Sequence, residues 1–412
     1  MKKNFDVIIA GGGPAGLSAA IIAARNKCDT LLVESSKAFG YPIHDSGATF
    51  SEAIKDFNLS KGVITNRIDG VTIVSPKGYV VSTKLGEGIG YILERRELNR
   101  ELAKIAANEG VEIKMPVKAV SPILSNGFVA GLQTKELIGG DNIEYKSKLV
   151  IDATGVNAVI AKAVGIHPGM SNIRWAIGAE YEMTNVELDN PNFIELYFGS
   201  QIAPSGYGWI FPKGDGVANV GVGITHISNE RINPFKYLSR FIKEYPVTSK
   251  KLKNAQPLEY HVGILPIGPM FDQIVSDGLM IVGDAACQVS PHLGEGIRFV
   301  MKAGEIAGEV AVDAINKNNT SKNNLTQYEK QVKKEIYPNY RLLYKIHEYA
   351  CSKDDESWER TIKHIENLIE SNSGKKLIIK AVRGDISKWD FFTNTHILAF
   401  KGIKKILGQK WM

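Results

Sequence analysis

Residues 4–34 read NFDVIIAGGGPAGLSAAIIAARNKCDTLLVE, a stretch that spells a strand, a glycine turn, a helix and a second strand closed by an acid. Val7, Ile8, Ile9 and Ala10 form an apolar run of strand length, and residues 17–25 continue with helical spacing. Between them Gly11, Gly13 and Gly16 keep the G-x-G-x-x-G spacing, with Pro14 and Ala15 inside it. The need for glycine is steric. The first permits a tight turn, the second lets a pyrophosphate approach the backbone, and the third lets helix lie close to strand. The amides that open the helix then face the anion. Glu34 ends the strand of residues 30–33, where a carboxylate can accept hydrogen bonds from an adenosine ribose. The stretch therefore reads as a dinucleotide-binding βαβ unit. Lys2 and Lys3 ahead of apolar residues imitate a secretory signal, but Asp6 and residues 11–14 interrupt the apolar stretch and favour the strand.

The 412 residues are 44% apolar and 23% charged, the balance of a folded soluble chain with room for two or three domains. A net charge of +6 is thinly spread, with no arginine-rich tract and no zinc-ligand spacing, so neither nucleic-acid binding nor a metal site is expected. Cys28, Cys287 and Cys351 are too scattered for a disulfide framework, a CxxC redox motif or an iron–sulfur cluster, and a reducing cytoplasm fits them best. No apolar run approaches the roughly 18 residues of a spanning helix.

Further along, residues 94–109 have helical spacing and residues 111–115 (VEIKM) read as a strand. Residues 148–151 form an apolar strand that empties into Asp152-Ala153-Thr154-Gly155. From 173 to 225 the texture becomes alternating, as in WAIGAEYEM, FIELYFG, YGWIFP and VANVGVGIT, which predicts an antiparallel sheet inserted in an α/β chain. Residues 279–282 (LMIV) return as a buried strand ending at Gly283-Asp284, and a long helix is expected over 294–315. Residues 316–324 (NKNNTSKNN) read as a polar linker before a charged, mostly helical tail. The expected organisation is a discontinuous nucleotide-binding domain (1–70, 90–167 and 275–320), a sheet domain (71–89 and 168–274) and a C-terminal helical region (325–412).

Residues 283–296, GDAACQVSPHLGEG, carry the second chemical signal. An aspartate just past a buried strand can accept from a sugar or ribitol hydroxyl, and the turn through Pro291, Gly294 and Gly296 opens a helix whose amides can hold an anion or a reduced ring. Asp284 or Ser290 as a plain helix cap is the competing reading. Together, GGGPAG, Arg95 in ERREL, DATG at 152–155 and GDAA…P..GEGI at 283–297 resemble the flavoprotein group of aromatic hydroxylases, flavin-dependent halogenases and geranylgeranyl reductases. The resemblance spans roughly residues 4–315. It implies a Rossmann-like FAD-binding fold in which Gly11, Gly13, Pro14, Ala15, Gly16, Glu34, Arg95, Gly155, Gly283, Asp284, Gly294, Glu295, Gly296 and Ile297 surround FAD. Arg95 reads equally well as a phosphate partner or as a helix-surface arginine paired with Glu94 or Glu101.

Tyr207-Gly-Trp209-Ile-Phe211-Pro212 followed by Gly221-Val-Gly223, and residues 263–268 (GILPIG), resemble the geranylgeranyl reductases within that group. The resemblance implies reduction of isoprenoid double bonds in a prenyl lipid. Strand alternation places Tyr207, Trp209 and Phe211 on one face, as a wall for a hydrocarbon chain or as core between sheet and flavin domain. The sequence departs from the family at Tyr41-Pro42-Ile43-His44-Asp45, where Ile43 and His44 replace a cysteine and a glycine. His44, Tyr207 and His292 are the candidate proton donors, although a histidine at such a loop is more often an ordinary surface or cap residue. A halogenase or monooxygenase is the rival, although Tyr207 and Phe211 depart from the WxWxIP of halogenases. No second G-x-G-x-x-G unit occurs, so either visiting NAD(P)H or a ferredoxin-like protein delivers electrons. Residues 398–412 hold four lysines and no acid among large apolar groups, a candidate peripheral membrane anchor or a helix packed on its own domain.

Overall fold

A computed structural model of the protein describes residues 2–225, 233–336, 338–387 and 390. The basic segment 398–412 lies outside the described residues.

The first strand, Asn4–Ala10, sits inside a mixed sheet between Asn142–Asp152 and Thr30–Val33, parallel to both. Leu279–Ile281 and Glu112–Lys114 extend the parallel part on either side. Val7 to Ala10 are buried on both faces, which is why they read as an unbroken apolar run. Val7 and Ile9 point into a core shared with the helices Pro14–Arg25, Arg95–Asn108 and Ile297–Asn316. Ile8 and Ala10 point the other way, onto a meander of Val117–Ser125, Phe128–Glu136 and the start of Asn142–Asp152. The two strands that complete this meander were not expected from the sequence. Helix Ile297–Asn316 lies so close to Pro14–Arg25 that a β-carbon on Gly304 would strike the carbonyl oxygen of Ala15.

The second sheet runs Gln256–Gly268, Arg174–Thr184, Val217–Thr225, Tyr207–Gly214, Phe193–Tyr197, Gly70–Val74, Val80–Lys84. It is antiparallel with one exception: Phe193–Tyr197 pairs parallel with Gly70–Val74. The hairpin 70–84 arrives from the nucleotide-binding half and is added beyond the last strand of the insertion, so its direction is set by where the chain comes from. A small sheet of Ala48–Phe50, Gly90–Leu93 and Ile64–Ile68 packs on the second sheet, Ile68 and Ile92 sharing a buried cluster with Trp209 and Phe211.

Two expected boundaries moved. The long helix begins at Ile297 rather than 294, because Gly294 has φ +73° and the turn before it is closed by Gly294 N–H to Ser290 O and Ser290 N–H to Glu295 O. The polar linker is shorter than its composition suggests, since Ser321 caps a helix that already starts at Lys322. Helices Lys322–Glu335, Tyr340–Cys351, Asp355–Ile369 and Asn372–Arg383 form the tail. Among the described residues, no helix is long and apolar enough to cross a membrane.

Candidate active site

The glycine turn separates what the protein needs from what a ligand needs. Gly11 has φ +112°, and a β-carbon there would collide with the carbonyl oxygen of Ala153, so the first turn and the DATG turn interlock. A β-carbon on Gly16 would strike the carbonyl oxygen of Gly11. Gly13 is different: its φ of −75° suits any residue, and a β-carbon would meet nothing within 4 Å. No protein atom requires a glycine there. The open space lies at the start of helix Pro14–Arg25, which no side chain caps, and a pyrophosphate fits both the space and the free amides. Gly283 joins the same corner, where an added β-carbon would come within 3.1 Å of Ala15 Cβ.

Glu34 accepts from the N–H groups of Gly12 and Ser36, each at 2.6 Å. Its carboxylate thus ties the glycine turn to the end of the second strand and still has lone pairs for a ribose hydroxyl. A cleft of about 550 Å³, lined by Ala38, Phe39, Tyr41, Arg96, Arg100 and Met115, opens nearby. Phe39 belongs to both, since a β-carbon on Gly12 would touch its ring.

In the DATG turn, Asp152 is fully buried and structural. Its carboxylate accepts from the N–H and hydroxyl of Thr154 (3.0 and 2.6 Å) and from the N–H groups of Ile160 and Ala161 (2.9 and 2.8 Å). It caps the short helix Val159–Ala163 and leaves Gly155, at φ +63°, facing open space.

Arg95 pairs with neither Glu94 nor Glu101 but with Asp45, Nε lying 2.7 and 2.8 Å from the two carboxylate oxygens. Glu94 instead holds Lys213, and Glu101 holds Ser60. Arg95 Nη1 is buried without a hydrogen-bond partner, which suits a ligand oxygen completing its shell. Burial pushes the Asp284 carboxyl up to about 6, helped by the charge of Asp45 and opposed by Arg95 and His44. Asp45, Arg95, His44 and Asp284 therefore share one electrostatic neighbourhood. The Gly283 turn is held by residues that sequence reasoning left out. Gln288 Oε1 accepts the Gly283 N–H at 2.7 Å, and its Nε2 donates to Tyr328 OH at 2.9 Å, which in turn donates to Ile281 O. Gln288 stands inside the quoted motif; Tyr328, on another helix, gave no local signal. Glu295 accepts the Thr49 hydroxyl with one oxygen, and its other oxygen is buried and unpaired. The paired oxygen also accepts the Arg298 N–H at 3.3 Å, so Glu295 caps the first turn of helix Ile297–Asn316, whose N-cap residue Gly296 has no side chain to do so.

The three proton-donor candidates separate on geometry. His292 is removed: its Nε2–H donates to Val382 O (2.9 Å), leaving Nδ1 to accept from Ser290 Oγ (2.8 Å). Burial pulls it down to about 4, so near neutral pH it is an uncharged strut to helix Asn372–Arg383. The Tyr207 phenol donates to Leu293 O at 2.6 Å and is pushed up to about 12 by burial. His44 Nδ1 lies 3.0 Å from Val262 O, and a carbonyl only accepts, so the hydrogen is on Nδ1. Nε2 has no partner among the described residues and can carry a second proton. The loop bearing it is pinned from both sides, by Arg95 to Asp45 and by Asn219 Nδ2 to Ser46 O (2.9 Å), while Ile43 is buried.

Tyr207, Trp209 and Phe211 share a face as expected. Centroids of Tyr207 and Trp209 are 5.8 Å apart, and those of Trp209 and Phe211 5.9 Å. The row continues through Phe198, 6.1 Å from Tyr207, to Trp358, which stacks on Phe198 at 4.2 Å. Neither of these last two was singled out from the sequence. Gly221 and Gly223 are explained by Trp209: a β-carbon on Gly221 would run into the indole, and one on Gly223 would approach it to 3.2 Å. The indole N–H donates to Glu180 at 3.0 Å, and the other Glu180 oxygen is 2.9 Å from His261 Nδ1, all buried. Burial works against charge on His261, but Glu180 outweighs it and holds the imidazole above its ordinary value.

Comparison with known proteins agrees with this geometry. Residues 6–172 match the family described as FAD dependent oxidoreductase, and residues 175–265 match the geranylgeranyl reductase catalytic domain. The digeranylgeranylglycerophospholipid reductase of Methanocaldococcus jannaschii is 37% identical over 82% of this chain and 84% of its own length. That of Methanococcus vannielii is 36% identical over 95% and 98%. A geranylgeranyl bacteriochlorophyll reductase-like protein from Thermoplasma acidophilum superposes with a TM-score of 0.84 at 27% identity, covering 96% of this chain and 100% of its own. The fold and the flavin turns are those of an FAD-dependent oxidoreductase. Within that class, the chain belongs to the geranylgeranyl reductase family.

Proposed function

We propose that the protein saturates carbon–carbon double bonds in geranylgeranyl chains carried by an isoprenoid glycerophospholipid, the substrate class named for its relatives. The observation that carries this reading is the hydrogen bond from Tyr207 to Leu293 O, which ties an aromatic wall to the turn that opens the second flavin motif. Residues 1–70, 90–167 and 275–320 are assigned to the flavin half and 71–89 and 168–274 to the substrate sheet, with a C-terminal region from 325 that is helical over Lys322–Glu335, Tyr340–Cys351, Asp355–Ile369 and Asn372–Arg383.

In this assignment Gly11, Gly13, Pro14, Ala15 and Gly16 cradle the pyrophosphate, and Glu34 takes the ribose. Arg95, Gly155, Gly283 and Asp284 line the central part, with Gly294, Glu295, Gly296 and Ile297 at the isoalloxazine. Reduced FAD, when bound, supplies a hydride at N5 for one alkene carbon. An isolated alkene is poorly polarised, so a proton source and a dry, shaped pocket must supply much of the remaining barrier reduction. His44 fits the proton source, because Val262 O fixes its Nδ1–H and leaves Nε2 to hold and release the second proton. Tyr207, Trp209 and Phe211 exclude water and orient the chain, the indole being set by Glu180 and the two glycines beneath it. NAD(P)H or a ferredoxin-like protein would deliver the electrons.

The test is anaerobic. Holoenzyme reduced with dithionite and given a geranylgeranyl glycerophospholipid should reoxidise its flavin as the lipid gains one pair of hydrogens per saturated bond, read by mass spectrometry. Reduced flavin beside unchanged lipid, with an aromatic compound hydroxylated on admitting air, would overturn the proposal in favour of a monooxygenase.

A further inference from the structure

Among the described residues, the strand Gln256–Gly268 forms one edge of the second sheet and pairs only with Arg174–Thr184. Its alternation is inverted relative to what a solvent-facing edge needs. Glu259 and His261 point inward toward the flavin half, while Leu258, Tyr260, Val262 and Ile264 point outward and are 56%, 42%, 43% and 42% exposed. Their cross-strand partners Tyr181, Ala179 and Ile177 belong to the core that helix Pro234–Lys243 covers with Leu238 and Phe241. Among the described residues, the helix roofs the inner strands and leaves the edge strand bare. Phe235, half exposed at the start of that helix, meets Tyr260 edge-on at 6.1 Å, and Tyr260 meets Tyr181 at 5.1 Å, so the apolar stripe and the helix form one continuous surface. Four consecutive outward positions on an edge strand, all apolar, are a liability that water-facing sheets avoid.

Charge identifies what covers the stripe. Lys236, Arg240 and Lys243 recur at i, i+4 and i+7 along the same helix, on one side of it, with no acid among them. At the end of the helix Glu244 makes a loose 3.8 Å pair with Arg240. A band of aromatic and aliphatic side chains flanked by basic residues matches a bilayer interface, with rings at headgroup depth and cations at the phosphates. The position is also apt for delivering a lipid tail: the carbonyl of Val262 in this strand holds His44, so the stripe adjoins the loop beside the flavin turns.

We propose that this face, the outer side of Gln256–Gly268 with the basic side of Pro234–Lys243, seats the protein on the surface of an anionic phospholipid bilayer. The inference rests on the reading of the substrate as a membrane lipid. Holoenzyme is mixed with vesicles of phosphatidylcholine alone or phosphatidylcholine with phosphatidylglycerol, and the bound fraction is measured by flotation. Wild type should bind the anionic vesicles. The double variant Leu258→Ser/Ile264→Ser should lose at least about tenfold in partitioning, since each large aliphatic side chain withdrawn from contact is worth about that much. Lys236→Glu/Lys243→Glu should lose the preference for anionic vesicles, about fivefold per basic residue removed, and with it the sensitivity to salt. Leu124→Ser/Ile138→Ser, at exposed apolar positions on the distant meander, should bind as wild type does.

Retained flavin absorbance checks folding in every variant. Failure of wild type to bind anionic vesicles, or binding by the serine variant equal to wild type, overturns the proposal. So does a wild-type dimer in the absence of vesicles that the serine substitutions convert to monomer, which would assign the face to a second copy of the chain. Reduction of the same lipid dispersed in detergent is read in parallel and should survive all three double substitutions. If wild type fails that assay, the reductase reading falls, while the vesicle result is scored independently.

Discussion

A methyl group added at Gly13 and the same methyl group added at Gly16 are expected to fail in different ways. At Gly13 the backbone is ordinary and the space around a β-carbon is empty to 4 Å, so Gly13→Ala loses only what alanine loses as a helix cap, about 1 kcal/mol or less. In a chain of this size that moves the melting temperature of flavin-free protein by about 1 °C. The same methyl group occupies the space assigned to the pyrophosphate. Overpacking of a close contact costs about 1–3 kcal/mol, which corresponds to FAD binding weaker by about fivefold to about 150-fold. At Gly16 the methyl group meets the carbonyl oxygen of Gly11, a backbone atom that cannot turn aside, and Gly16→Ala should destabilise the flavin-free protein itself by about 3 kcal/mol or more. Both quantities are measurable on the same preparations, thermal unfolding after flavin is stripped and FAD affinity by fluorescence quenching on titration. Wild-type FAD affinity in Gly13→Ala would refute the placement of the pyrophosphate. A flavin-free melting temperature as low as that of Gly16→Ala would refute the claim that no protein atom requires Gly13.

Asp284 should make flavin-free protein less stable as pH rises. An acid held above its ordinary value binds its proton more tightly folded than unfolded, so its contribution is fully present below about 3.8 and is lost as pH approaches about 6. Asp284→Asn should therefore melt above wild type at pH 7 and alongside it near pH 4, while losing FAD affinity; parallel melting curves at both pH values would remove the argument. His44 and His292 should part company in single turnover: His44→Ala is expected to slow reduction of the lipid about 100-fold or more, and an unchanged rate would exclude it as proton source. His292→Gln should keep that rate and lower the melting temperature near neutral pH. His292 is held low, near 4, so its stabilisation is complete above about 6.5 and fades as pH falls, and the Gln variant should lack this acid-side slope. Gly221→Ala pushes a methyl group into the Trp209 indole, so KM for the prenyl substrate should rise, with FAD content unchanged and tryptophan emission shifted to the red. An unaltered KM would mean that Trp209 does not wall the substrate site.

The parts of the site that could be read from sequence are those whose cause lies within a few consecutive residues. A tight turn needs glycine at a given spacing, a buried strand needs an apolar run, and an acid at the strand end is adjacent to what it serves; all three are local sterics. The YxWxFP strand belongs with them, since alternation alone puts its three rings on one face. Roles that depend on which elements become neighbours were decided by tertiary structure. Arg95 could have paired with Glu94 or Glu101 on its own helix, but folding brings Asp45 to it across 50 residues. His292 had the residue type for acid chemistry and the wrong surroundings, closed between Ser290 and a carbonyl 90 residues away. Asp152 stands in a flavoprotein motif and spends its carboxylate on a helix start, and Gly221-Val-Gly223 owes its small residues to an indole on the neighbouring strand. The sheet insertion was visible as alternation, yet its parallel pair at 70–74 and 193–197 was not, because strand direction depends on the path of chain between them. Sequence by itself thus determined the glycine turn with its flanking strands and helix, and the class of chemistry. Burial, pairing and proton affinity, which arise only when distant segments exclude water together, decided which side chains have a free atom left to act.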